Sequence, residues 1–249
     1  MDNPTKMTEG MRINKTGMAT SSHADAMREV TGLTERVKTP GAGLDRGVTE
    51  ARAAYLKETQ AIGTVPPPTS VKGAAKAALE MLKGNKAIAL VDKMAERLAF
   101  ERTGVRFYGA LLEKLDVAGG FDGGPSRQEL IKIQDEELAH AKMLNAALEE
   151  LGADPTAVTP SADLAGIEAQ GLGSVFADAR TTVGQCLHAL LVAELADNEN
   201  WTLLSRLADE MGQSDLAARF RQAEQDEQRH LEQVRGWTQA HARAEAGLS

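Results

Sequence analysis

Cysteine is all but missing: Cys186 is the only one in 249 residues. No intrachain disulfide can form, and neither a Cys-x-x-Cys pair nor a thiolate-held iron–sulfur cluster can be built. A reducing, cytoplasmic setting is therefore expected. Aromatic residues are scarce at 4%, while Ala, Leu, Glu, Gln and Arg are plentiful, a balance that favours helix over sheet. Positive charge is also in short supply, since 28 Lys and Arg face 36 Asp and Glu for a net charge of -8. That sign is wrong for a phosphate-binding surface, so nucleic acid is not an expected partner. No stretch approaches the ~18 uninterrupted apolar residues of a membrane span, and the N-terminus lacks the basic-then-apolar order of an export signal. A membrane is not an expected partner either.

What is present is enough chain for one sizeable all-α domain and an appendage. Residues 1–68 are rich in Thr, Gly, Ser and Met, mix charges of both signs, and end in Pro66-Pro67-Pro68, which cannot continue a helix. They are read as an N-terminal arm, packed on the rest or on a partner, with short helices expected over 24–37 and 51–61. Its glycines do not have phosphate-loop spacing, and no β-branched strand precedes them. From 69 to 249 the apolar residues recur at helical spacing. A short amphipathic piece spans 71–82, and four long helices follow. The first is expected from about Asn85 to Asp116, and the second from a Ser126 cap to Leu151. The third spans about 174–211, and the fourth runs from a Ser214 cap past Trp237. A polar stretch with Gly and Pro, 152–172, separates the second from the third.

The inward stripes, followed in steps of three and four residues, are each interrupted by acid. The first reads Met94, Leu98, Glu101, Val105, Tyr108, Leu112. The second reads Leu130, Ile133, Glu137, His140, Leu144, Leu148. The third reads Leu187, Leu191, Glu194, Asp197, Trp201, Leu204, and the fourth reads Phe220, Ala223, Glu227, His230, Val234, Trp237. Burying an ionised carboxylate costs several kcal/mol unless something compensates it. Two divalent cations would balance four Glu, with two neutral imidazoles filling further positions. This oxygen-rich donor set suits two iron ions, or alternatively manganese, better than a structural zinc. The expected ligands are Glu101, Glu137, His140, Glu194, Glu227 and His230. Asp197, one turn after Glu194, is read as a partner for a ligand histidine or an extra ligand. Glu136 and Glu199 flank the stripes and are read as solvated charges.

The chain also repeats itself. Glu101 precedes Glu137 by 36 residues and Glu194 precedes Glu227 by 33, each later Glu opens a Glu-x-x-His, and an aromatic, Tyr108 or Trp201, follows each earlier Glu by seven. Chance would supply about 0.4 such Glu-x-x-His pairs in this composition, so two placed symmetrically carry weight.

One Glu from each of two helices and Glu-x-x-His from two others is the pattern of ferritin-like di-iron and di-manganese proteins. Glu101-x-x-Gly104-x-x-x-Tyr108, Glu136-Glu137-x-x-His140-Ala141 and Asp226-Glu227-x-x-His230 resemble the rubrerythrin-type branch, over residues 85–240. The resemblance implies a ferritin-like four-helix bundle, with 152–172 as its one long crossover. It also implies a binuclear oxidoreductase of ferroxidase, peroxidase or catalase type acting on O2 or hydrogen peroxide, relevant to oxidative stress. The chain lacks the four-cysteine rubredoxin module of true rubrerythrins, so electrons would come from an external donor. Tyr108 is expected to hydrogen-bond a ligand carboxylate or carry an electron, or to fill core space. A homo-oligomer, a dimer or larger, is expected. Two other readings stand beside the enzyme. One is an iron-binding storage protein using the same site. The other is a metal-free helical scaffold whose acids pair with Arg97, Arg102 or Arg229, and it is disfavoured because those arginines are read as lying beside the stripes.

Overall fold

The computed structural model describes residues 86–248 and a few helical positions between 50 and 57. The chain divides into two units, Met1–Gln60 and Ala61–Ser249. The arm expected over 1–68, the piece at 71–82 and the Asn85 cap fall almost wholly outside the described residues. Within the second unit the described structure is all-α: α1 (Lys86–Ala118), α2 (Arg127–Glu150), α3 (Pro160–Ala177), α4 (Val183–Glu210) and α5 (Ser214–Glu245). No strand occurs among the described residues. None of the described helices is long and apolar enough to cross a membrane.

The boundaries follow local chemistry. Ser126 and Glu129 form a reciprocal capping box at the start of α2, and Thr182 with Gln185 does the same for α4. α1, α2 and α4 each run out into a glycine with positive φ: Gly119, Gly152 and Gly212. After α2 and α4 that residue closes a Schellman turn, with Ala153 N–H donating to Leu148 O and Gln213 N–H to Ala208 O, each at 2.9 Å.

Two boundaries differ from the sequence reading. The stretch 152–172 is not irregular throughout, because Thr159 caps a helix there with Pro160 in its first turn. α3 then takes residues 174–177, which were expected to open the third long helix, and α4 begins only at Val183. At the last turn, Ser214 is the first residue of α5, not its cap. Gln213, already closing the Schellman turn, stands at the cap with no side-chain bond.

α4 packs along α5 and α1 along α2, α1 also faces α4, and α3 lies on α1 and touches α4. α3 is pinned at both ends. Asp92 of α1 accepts from Ser161 N–H at 2.9 Å and from its hydroxyl at 2.6 Å, and Phe176 stacks on Phe107 at 4.5 Å. The long helices bury two apolar clusters. One joins Tyr108, Leu111, Leu130, Ile133, Leu187, Leu190, Val234 and Trp237. The other joins Met94, Leu98, Leu144, Leu148, Trp201, Leu204, Phe220 and Ala223. The chain order of these residues sets the helix directions. α1 and α5 run from the second cluster to the first, and α2 and α4 run from the first to the second. On every long helix the expected ligands fall in the interval between the two.

Candidate metal centre

In that interval four carboxylates are taken almost wholly out of water: Glu101 and Glu227 are 0% exposed, Glu137 2% and Glu194 3%. The structure brings all six expected ligands together. Glu137, Glu194, Glu227 and His230 each offer one atom within 4.8 Å of the others, and so do Glu101, His140 and Glu227. A third such group joins Glu101, Glu137, Asp197 and Glu227. Glu227 belongs to all three.

The orphaned atoms point the same way. Glu101 Oε2, Glu137 Oε2, Glu194 Oε2, Glu227 Oε1 and His140 Nδ1 are buried without a hydrogen-bond partner. His140 Nδ1 lies 2.7 Å from Glu227 Oε1 yet off the hydrogen-bond line, as two lone pairs aimed at a common cation would be. Buried acceptors left unmatched in this number are costly, and a divalent cation matches them at once. The residues present therefore fit a metal site.

Glu101 and Glu194 are each held by an aromatic from the other half of the chain. Tyr108 donates its hydroxyl proton to Glu194 Oε1 at 2.6 Å, and Trp201 Nε1–H donates to Glu101 Oε1 at 2.9 Å. Tyr108 thus serves Glu194, across the molecule, and not the Glu101 of its own helix. Burial and then the Glu194 charge raise its pKa well above the usual phenol value, so it stays a donor. Gly104 has a steric role, since a Cβ built there would stand 2.9 Å from Glu137 Cδ. Glu137 occupies the space that glycine leaves.

The histidines present Nδ1 to the cluster and Nε2 away from it. His230 Nε2 lies 2.9 Å from Glu136, and His140 Nε2 lies 3.6 Å from Asp226. Arg229 bridges these two acids, at 3.1 Å from Glu136 and in direct contact with Asp226. Reading Glu136 as a solvated charge is therefore corrected: it is one-quarter exposed and engaged on both oxygens. The available signal was the acid immediately before the glutamate of each Glu-x-x-His, Glu136-Glu137 and Asp226-Glu227. A carboxylate at Nε2 keeps a proton there and leaves the Nδ1 lone pair for a cation. Asp226→Asn should weaken the His140 position and Glu136→Gln the His230 position, each by roughly 10- to 100-fold, as read by metal titration.

Arg97 is the second correction. It is 2% exposed, inside rather than beside the stripe. It pairs with Asp197, also 2% exposed, and its guanidinium lies 4.4 Å over the Phe100 ring. Asp197 thus meets an arginine and not a ligand imidazole. Arg102 is exposed, and Arg229 pairs only with Asp226 and Glu136 outside the cluster. Among the described residues no arginine forms an ion pair with any of the four glutamates.

Without a cation, protons must do that work. Burial pulls His140 down, but the carboxylates of Glu101 and Glu227 outweigh it and lift it to about 11. His230 rises likewise, against burial, to about 12 beside Glu137 and Glu227. Glu194 is raised to about 8 by burial and then by the Glu227 charge, while the two imidazoles override burial at Glu227 and hold it at about 2. Cys186 is a buried core thiol near Thr181, and His188 is exposed, so neither joins the site. No family model, no characterised protein and no solved structure matches this chain, so the centre is read from its own geometry.

Proposed function

We propose that residues 69–249 form a ferritin-like four-helix bundle whose interior holds two metal ions, iron or alternatively manganese, and reacts with O2 or hydrogen peroxide. The helix directions support this reading. α1, α2, α4 and α5 run up, down, down, up, and the segment carrying α3 returns along the length of the bundle as its single crossover. The observation that carries the proposal is Glu227. One buried carboxylate common to a four-residue and a three-residue ligand group would help hold both cations, and Glu137 would be a further ligand beside it.

Two such ions, when bound, supply paired reducing equivalents to dioxygen or peroxide and polarise its oxygens. The protein's own part is positioning. Tyr108 and Trp201 each occupy one oxygen of a terminal glutamate and leave the other for the cation. The clusters above and below exclude bulk water, which strengthens every charge interaction between them. Glu136 holds the His230 proton on the outer nitrogen, and the Asp226 charge, 3.6 Å from His140 Nε2, favours the same arrangement there. An external donor would restore the electrons.

The deciding experiment loads the full chain with Fe(II) under anaerobic conditions, counts iron per chain by mass spectrometry, then adds O2 or peroxide and follows its consumption. Two irons per chain, oxidised with matching loss of oxidant, support the oxidoreductase. Hundreds of irons per assembly would support the storage reading, and folded protein that takes up none would support the scaffold.

A further inference from the structure

The ligand set is nearly two-fold symmetric, but the residues around it break that symmetry at one place. The 93-residue offset that carries Glu101 onto Glu194 and Tyr108 onto Trp201 carries Arg97 onto Leu190 and Gly104 onto Asp197. One side of the centre therefore has a buried ion pair, where the other has a leucine and a glycine. The pair sits on the Glu101 side. Asp197 offers an oxygen within 4.8 Å of ligand atoms from Glu101, Glu137 and Glu227, and among the described residues no such group joins it to Glu194 or His230.

Arg97 is paired with one carboxylate, Asp197, and part of its guanidinium is left without a hydrogen bond. Its Nε and Nη2 have no hydrogen-bond partner. Glu96, the nearest acid on its own helix turn, is taken by Lys93 at 2.6 Å. The pocket at Arg97, lined by Lys93, Glu96, Asn200, Leu203 and Leu204, measures about 10 Å³ and has no room for a counter-anion. A guanidinium does not deprotonate in proteins, so this positive charge is permanent.

We propose that the Arg97–Asp197 pair makes the two metal positions unequal. A first divalent cation enters among Glu137, Glu194, Glu227 and His230, and a second, weaker one enters beside Arg97, at Glu101, His140 and Glu227. The inference rests on the binuclear reading above. A cation arriving at the second position meets the fixed positive charge of Arg97, offset in part by the Asp197 carboxylate, in a water-poor interior where both charges are felt far more strongly than in solvent. The two affinities should differ by roughly 10- to 1,000-fold, the range such a charge produces at an intermediate effective dielectric.

The test is titration of the metal-free full chain with Co(II), followed by visible absorption and by calorimetry. The wild type should show two resolved steps, with His140→Ala losing the weak one and His230→Ala the tight one. Arg97→Met should tighten the weak step until the two merge, Arg97→Lys should keep them apart, and Asp197→Asn should weaken the second step further. Those opposite directions separate an electrostatic role from a structural one, which would weaken binding in both variants. If Arg97→Met does not fold, Asp197→Asn and Arg97→Lys decide. Two wild-type steps of equal affinity, or an Arg97→Met titration like the wild type, would overturn the inference and leave the binuclear centre standing. A wild type that binds no cobalt would remove the centre itself.

Discussion

Glu227→Ala is expected to abolish binding at both metal positions, taking the chain from two ions to none by mass spectrometry after desalting. The size of the effect follows from the side chain's place. It is fully buried, lies in every ligand group of the interior, and stands 2.7 Å from His140 and 3.1 Å from His230. Losing a terminal glutamate should cost one ion, whereas losing the carboxylate common to both groups removes ligation from each and leaves two imidazoles without their nearest anion. Glu227→Gln keeps the shape and discards the charge, so it should fail as badly if charge neutralisation is the basis of binding. Glu199→Ala, at an exposed position of α4, is the matched control and should keep both ions. Retention of two ions by Glu227→Ala would mean that the shared ligand lies elsewhere.

Stripping the metal should have the next largest effect, this time on stability. A ligand present at 1,000 times its dissociation constant stabilises the fold by about 4 kcal/mol, which for a domain of this size corresponds to a melting temperature higher by roughly 8 to 16 °C. Calorimetry of the loaded chain against the chelated one measures the difference. The effect should grow with pH, and the sign follows from the protons. His140 and His230 are raised in the metal-free fold, to about 11 and about 12. Their contribution to the metal-free fold is therefore complete below the unfolded histidine value and is lost only as pH climbs through those raised values. Glu194, raised to about 8, favours the metal-free fold below the ordinary carboxylate range and ceases to do so as pH rises through 8. A cation must displace these protons, so acid favours the stripped chain. Between pH 8 and pH 5 the gap in melting temperature should narrow, and calorimetric titrations in buffers of different ionisation enthalpy should register proton release. A gap that widened toward acid would contradict this account.

The part of this site that lay open in the sequence is the part governed by helical period. Glu101, Glu137, Glu194 and Glu227 interrupt apolar stripes at steps of three and four, and that regularity places each on an inward face before any packing is known. The partners of the ligands follow a different rule, because they reach across from other helices. Trp201 meets Glu101 at a separation of 100 residues, and Glu136 meets His230 at 94. No period connects such positions, so Glu136 reads as one more solvated glutamate. Arg97 misleads for a related reason: a long side chain rooted beside the stripe can turn inward and bury its head against Asp197. α3 was missed on local grounds, since Gly166, Gly171 and Gly173 lower its propensity. The Thr159-Pro160 start was nonetheless present, and docking on α1 through Asp92 and Phe107 supplies what propensity does not.

The crossing of these supports has a consequence for how such a chain can change over generations. Trp201 and Asp226, on α4 and α5, reach across to Glu101 and His140, and Tyr108 and Glu136, on α1 and α2, reach across to Glu194 and His230. A lesion in one helix pair is thus felt at the candidate ligands of the other, and a repair can arise in either. The two pairs are bound to a common inheritance: neither can drift, be exchanged for a relative's, or be lost without its twin going blind.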